Sequence, residues 1–333
     1  MPLKLETVSV IGGGAWGTAL AQTASQNGHP VLLWAREAGV VADINERHVN
    51  RTYLPGVPLE TTIRATSDLR VAAAADVILM VAPAQHMRAV TGELARHMRS
   101  SQPLVICAKG IEQKSGKLMG EIADELAPQA IVAVLSGPSF AADVARGLPA
   151  ALTLACRNEA AGRALTAALS SRQMRLYWSS DVIGAELGGS VKNVLAIAAG
   201  IVAGRGLGAS AHAALVTRGF AELRRFAESF GARPETLMGL SGLGDLILTC
   251  GSPQSRNMSL GRALAEGQSL SEILAGRHAV TEGVYTAAAV VKLARERHIE
   301  MPIAEAVHAI IEGGLSVDDA ITGLMQRPLK AED

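Results

Sequence analysis

The sequence predicts an α/β protein in two parts, residues 1–180 forming a mostly parallel sheet with helices on both faces and residues 181–333 forming an all-helical domain. Three observations predict it. Short, wholly apolar runs alternate with helical patterns as far as about Asp181, the signature of parallel strands covered on both sides. The first of these runs straight into a glycine-rich turn. Beyond Asp181 no convincing strand follows, and long Ala/Leu/Val-rich helical periods take over.

The first strand, Val8–Ile11, is followed by Gly12-Gly-Gly-Ala-Trp-Gly17 and then by a helical pattern from Thr18. In this G-x-G-x-x-G, Gly12 permits the tight turn, Gly14 lets the backbone approach a pyrophosphate, and Gly17 lets the helix sit close to the strand. Ala15 and Trp16 lie at the helix start, whose free N–H groups and positive dipole end favour phosphate. With 34 glycines in 333 residues the bare pattern is weak, and its weight comes from the strand–turn–helix setting of a Rossmann-like nucleotide fold. The helix stops at Asn27-Gly28, and Val31–Trp34 is the second strand. Arg36 just after it suits a 2′-phosphate, with Glu37 one place late for a ribose hydroxyl, so NADP is favoured over NAD; an exposed surface pair is the plainer reading.

Residues 43–68 are less regular, with a turn at Tyr53–Gly56. Strand-length apolar runs then recur at Asp76–Ala82, closed by Pro83, at Leu104–Ala108, ending on Lys109-Gly110, and at Ile131–Leu135, ending on Ser136-Gly-Pro-Ser-Phe140. Helical patterns over Gln85–Met98 and Lys117–Leu126 separate them, and Ala151–Ala155 and Met174–Tyr177 extend the sheet. Gly12, Arg36, Pro83, Lys109 and Gly137 each follow a strand's carboxyl end, where open α/β sheets bind ligands. Lys109 reads as a ligand contact and not merely a loop lysine; Ser136–Ser139 reads as a serine-capped helix entry that also offers donors to an anion.

The second part carries helical patterns over Val182–Ala203, Ala211–Phe230, Arg256–Ala265, Glu282–Arg297 and Pro302–Ile311. Lys192 and Asn193 interrupt the first, which is costly unless they are paired or face a polar cleft. Gly188 and Gly189 lie on the same face as Lys192, so open space beside its ammonium is expected, although a snorkelling lysine is the alternative. Gly242-Leu-Gly-Asp-Leu246 sets Asp245 in an apolar turn. Ser255 is a helix cap, and Arg256 and Asn257 behind it suit a phosphate.

Composition narrows the class. With 31 basic and 31 acidic residues and no block of like charge, neither nucleic acid nor a membrane surface is an expected partner. Cys107, Cys156 and Cys250 are odd in number and far apart, against a disulfide framework, and no histidine pairs with Cys or a carboxylate at metal spacing, so no metal is expected. The first strand begins too early to leave room for a signal peptide, and the most apolar run, Val194–Ala203, is too short for a membrane span.

Taken in order, GGGAWGTALA, the Lys109-Gly110 strand end, SGPSFA at Ser136–Ala141, VKNVLAIAAG at Val191–Gly200, GLGDLILTC at Gly242–Cys250 and SRN at Ser255–Asn257 resemble the successive signatures of bacterial-type NAD(P)-dependent sn-glycerol-3-phosphate dehydrogenases. The resemblance implies that Trp16, Arg36, Lys109, Ala141, Arg256, Val280 and Glu282 line the cofactor, beside Gly12, Gly14, Ala15 and Gly17 of the turn. It implies that Lys109, Gly137, Ser139, Asp245, Ser255, Arg256 and Asn257 contact the substrate and that Lys192 is the catalytic acid/base. The expected reaction interconverts dihydroxyacetone phosphate and sn-glycerol 3-phosphate. The expected setting is a cytoplasmic homodimer without membrane insertion, supplying glycerol phosphate for phospholipids. Ser210-Ala-His212 departs from the family pattern, which places a Lys or Arg there, so neither Ser210 nor His212 is given a role. Two other readings compete: a β-hydroxyacid dehydrogenase, which would bind a carboxylate, and a non-catalytic NAD(P)-binding sensor, which would need only the cofactor half.

Overall fold

The computed structural model describes residues 3, 5–276 and 280–329. The chain opens with β1 (Val8–Ile11), α1 (Ala15–Gln26), β2 (Val31–Trp34), α2 (Ala38–Arg47), β3 (Val49–Asn50), β4 (Leu54–Pro58), β5 (Arg64–Thr66) and α3 (Leu69–Ala72). It continues through β6 (Val77–Met80), α4 (Met87–Ala95), β7 (Pro103–Ile106), α5 (Met119–Leu126), β8 (Ile131–Ser136), α6 (Ala141–Ala145), β9 (Ala150–Cys156), α7 (Glu159–Leu169) and β10 (Met174–Ser179). From there every described regular element is helical. These are α8 (Val182–Gly204), α9 (Gly208–Glu228), α10 (Pro234–Met238), α11 (Asp245–Gly251), α12 (Arg256–Ala265), α13 (Leu270–Ala275), α14 (Glu282–Glu296), α15 (Pro302–Ile311) and α16 (Val317–Met325). A π-helical turn, Leu240–Gly244, leads into α11.

Eight strands form one sheet in the order β10-β9-β8-β7-β6-β1-β2-β5, and β3 pairs with β4 apart from it. All neighbours in the sheet run parallel except β8 and β9, where Ser136 faces Thr153 in an antiparallel pair. The uniform apolar runs gave no direction for β9. Its reversal follows from α6, whose five residues rise only about 7.5 Å, well short of the roughly 20 Å length of β8. The chain therefore cannot return to the far edge, and it re-enters the sheet from the edge where β8 ended. Residues 43–68, which looked irregular, supply the β3–β4 hairpin and the three-residue edge strand β5. Such short pieces carry too few side chains for a periodic signal.

Apolar side chains pack on both faces of the sheet, Leu20, Leu33 and Val105 in one cluster and Ile78, Met87 and Leu104 in another. The helical half has its own core around α8, which is buried along almost its whole length. Glycines let α8 and α12 cross backbone to backbone: a Cβ on Gly261 would strike the Ile197 carbonyl, and one on Gly200 the Met258 carbonyl. That close crossing fixes the rotation of α8, and with it the direction in which Lys192 projects.

Candidate active site

β1, β2, β6, β7 and β8 run parallel to one another in the sheet, so Gly12, Arg36, Pro83, Lys109 and Gly137 emerge along a single edge. Gly12 has φ +133°, and a Cβ there would lie 2.9–3.1 Å from the backbone of Val81 and Ala82. Only glycine fits. A Cβ on Gly17 would strike the Gly12 carbonyl, whereas the place of a Cβ on Gly14 is open for 4 Å around. That gap lies at the start of α1, where no side chain caps the helix and its first N–H groups are available to an anion. Two orphaned polar atoms belong to residues expected at the cofactor. The Trp16 indole N–H and one oxygen of Glu282 are buried without a partner among the described residues. The other Glu282 oxygen accepts from the Ala84 N–H at 3.2 Å, tying α14 to the end of β6, and burial pushes this carboxyl's pKa up. The open cradle, free helix start and orphaned donor and acceptor fit a nicotinamide dinucleotide.

Arg36 is exposed just past β2 and donates to Glu37 at 3.3 Å. This is the surface pair of the plainer reading, and it leaves the guanidinium within reach of an approaching ligand.

Opposite this edge, α8 and α11 bring a carboxylate between two lysines. Asp245 is buried; one of its oxygens accepts from Lys109 Nζ at 2.6 Å and the other from Lys192 Nζ in a very short bond. Lys109 also donates to the Gly137 carbonyl at 3.1 Å, and Lys192 to Thr249 Oγ1 at 2.6 Å. Lys192 is 6% exposed, and burial pushes its pKa down to about 8 against the pull of Asp245, with Lys109 adding to the fall. The cluster therefore holds an ammonium poised to lose its proton near neutral pH. Neighbouring Cys250 is no nucleophile: burial pushes its thiol up to about 12.

The remaining sequence-derived candidates divide. Ser255 caps α12 by accepting from the Met258 N–H at 3.2 Å. Asn257 is buried and links two helices, its amide donating to Asn193 Oδ1 at 2.9 Å and accepting from the Gly283 N–H at 3.0 Å. Asn193 thus braces Asn257. Arg256 is exposed and donates to the Val280 carbonyl at 2.7 Å. Ser139 is not the cap of α6, whose preceding residue is Phe140; its hydroxyl donates to the Gly137 carbonyl at 3.3 Å. Ala141 is the first residue of that helix.

The open space expected beside Lys192 is filled. A Cβ on Gly188 would come 2.6 Å from the Ser241 carbonyl, and one on Gly189 2.5 Å from Ser136 Oγ and 3.5 Å from the Lys109 side chain. These glycines admit the π-helical turn and the end of β8 against α8, so Lys109 and Lys192 reach one carboxylate. Thr249 was missed in the sequence. Its signal was the i,i+4 spacing from Asp245, which puts both on one face once residues 245–251 are read as a helix and not a turn. His212 has a structural partner, its Nε2 lying 2.9 Å from the Cys250 carbonyl. Among the described residues no group of three or more His, Cys, Asp or Glu is placed to hold a metal.

Comparison with known proteins bears on this arrangement. Residues 7–162 match the family model described as NAD-dependent glycerol-3-phosphate dehydrogenase N-terminus, and residues 181–322 the corresponding C-terminus model. Glycerol-3-phosphate dehydrogenase [NAD(P)+] of Parvibaculum lavamentivorans is 59% identical over 332 residues, covering 100% of both chains. That of Caulobacter vibrioides is 57% identical, covering 99% of this chain and 100% of its own. A crystal structure of glycerol-3-phosphate dehydrogenase from Coxiella burnetii superposes with a TM-score of 0.93 at 38% identity, over 98% of this chain and 100% of that one.

Proposed function

The chain belongs to the NAD-dependent glycerol-3-phosphate dehydrogenase family, and on that premise we propose how its own residues carry the reaction. The enzyme is an oxidoreductase that interconverts sn-glycerol 3-phosphate and dihydroxyacetone phosphate with NAD or NADP. The bound cofactor supplies or accepts the hydride at C2. One observation carries the residue assignment: Asp245 joins Lys109, from the sheet edge that fits the cofactor, to Lys192, from the core of the helical half.

In ketone reduction, Lys192 stabilises the negative charge growing on the C2 oxygen and donates the proton; in alcohol oxidation it accepts that proton. Asp245 orients the ammonium, with Thr249 fixing a second of its hydrogen bonds. Lys109, exposed enough to meet a ligand, faces the substrate phosphate together with Arg256, whose guanidinium is exposed at the start of α12. Gly137, Ser139, Ser255 and Asn257 shape the substrate side. Gly12, Gly14, Ala15, Trp16, Gly17, Arg36, Ala141, Val280 and Glu282 hold the dinucleotide, with Lys109 and Arg256 at the junction. The working division falls near residue 180, which the separate spans of the two family matches support. A cytoplasmic homodimer without membrane insertion, supplying phospholipid synthesis, completes the reading. In its support, Val182–Gly204, long and apolar enough for a span, is buried as the core helix.

Two results are expected. Because Lys192 titrates near 8, well below an ordinary lysine, the protonated acid is lost as pH rises through that value. kcat/KM for reduction should then fall about ten-fold per pH unit above roughly 8, while that for oxidation rises towards a plateau there. Initial rates in both directions across pH 6–10, with roughly those limits, check this; flat profiles would remove Lys192 from the proton transfer. Arg36→Ala should raise the KM for NADPH about ten-fold relative to that for NADH, the low end for losing one charge-assisted bond to a 2′-phosphate. Equal changes for both cofactors would assign Arg36 to the surface. Absorbance assays with dihydroxyacetone phosphate beside a 2-oxoacid test the reaction itself.

A further inference from the structure

Away from the catalytic edge, the turn between α7 and β10 and the C-terminal ends of α1 and α6 line a half-open surface cavity of about 590 Å³. Its volume is that of a small-molecule site. Gln26, Asn27, Arg146, Ser171, Arg172 and Gln173 line it, and no Asp or Glu does. Most arginines near the sheet are matched to acids, as Arg47 and Arg51 are to Asp43, Arg88 to Glu112 and Arg163 to Glu159. Arg146 and Arg172 have neither a hydrogen bond nor an ion pair from their side chains among the described residues.

The local structure fixes the backbone that carries these groups. Arg146 ends α6, where Gly147 turns the chain with φ +75°. Arg172 sits in a turn fixed by Ser171, whose hydroxyl accepts from the Gln173 and Met174 N–H groups. Asn27 spends its amide on the Ala168 and Ser170 carbonyls at 3.1 and 2.9 Å, clamping the end of α1 to the end of α7. The backbone around the cavity is therefore braced, while the two exposed guanidinium groups on its wall form no ion pair among the described residues.

We propose that this cavity is a second anion site, separate from the catalytic one, for a small metabolite bearing a phosphate group. Two planar guanidinium forks match the oxygens of a dianionic phosphate, and the neutral amides of Gln26 and Gln173 suit hydroxyl groups on the remainder of the molecule. The inference goes beyond the dehydrogenase reaction and does not depend on it.

Inorganic phosphate is the probe, applied to the full-length enzyme at constant ionic strength with saturating NADP+ filling the dinucleotide cradle. A background carrying Lys109→Ala and Arg256→Ala removes both side chains assigned to the substrate phosphate at the catalytic side. Thermal unfolding of that variant should shift up by about 2 °C at a ten-fold excess of phosphate over its Kd. Adding Arg146→Ala and Arg172→Ala should abolish the shift, and the exposed positions of both residues let this variant fold. Adding instead Arg96→Ala and Arg295→Ala, two exposed charges elsewhere, should keep it. No shift in the Lys109→Ala/Arg256→Ala background, survival of the shift without Arg146 and Arg172, or its loss in the Arg96/Arg295 control would each overturn the proposal.

Discussion

Lys192→Ala is expected to lower kcat for dihydroxyacetone phosphate reduction by ~10²-fold or more, the usual scale for losing a general acid, while NADPH binding persists. The separation follows from placement. Lys192 bonds to Asp245 and Thr249 in the helical half and to nothing in the glycine turn that fits the pyrophosphate. Lys192→Arg should not restore the rate, because guanidinium keeps its charge but does not give up a proton in this pH range. Single-turnover rates and NADPH fluorescence titrations on both variants check the split. Near-normal turnover by the alanine variant would overturn the assignment.

Asp245→Asn should damage both stability and activity. Asp245 is buried and compensates two ammonium groups, of which Lys192 is 7% and Lys109 18% exposed in the side chain. Removing one partner of a buried pair costs about 3–5 kcal/mol, because the cation left behind stays out of water. Lys109's partial exposure to solvent places the expected loss towards the low end. The same change withdraws the interaction that holds Lys192's pKa up against burial, so the alkaline limb of the reduction profile should move below 8 as kcat falls. Denaturant unfolding and the pH–rate profile of the variant read the two effects. Unchanged stability with a shifted profile would make Asp245 a tuning residue only, and the reverse would make it a strut.

Much of the fold was legible because its signals are local. A strand running into G-x-G-x-x-G needs only neighbouring residues to be recognised, and the structure finds Gly12 where no side chain fits. The successive strand ends were legible for the same reason. The direction of β9 was not, since it depends on how far α6 carries the chain. The glycine pair on α8 was misread because sequence spacing shows which residues share a helix face and not what packs against that face. Gly188 and Gly189 meet the Ser241 carbonyl and Ser136. Asn257 was expected at the substrate; its hydrogen bond to Asn193 spans 64 positions and has no trace in either segment.

By itself the sequence determined the α/β architecture, the dinucleotide turn and the order of the family's signatures, a resemblance that in turn singled out Lys192 as the group to test. Those follow from short-range constraints: apolar periodicity, backbone freedom at glycine, and residue chemistry in fixed motifs. Only the tertiary structure decided that Asp245, 136 positions from Lys109 and 53 from Lys192, is shared between them, and that Thr249 completes the cluster. The reason is physical. A lysine's pKa and reach depend on the dielectric and charges around its ammonium, and those are supplied by chain segments that meet only when the helical half packs against the strand ends.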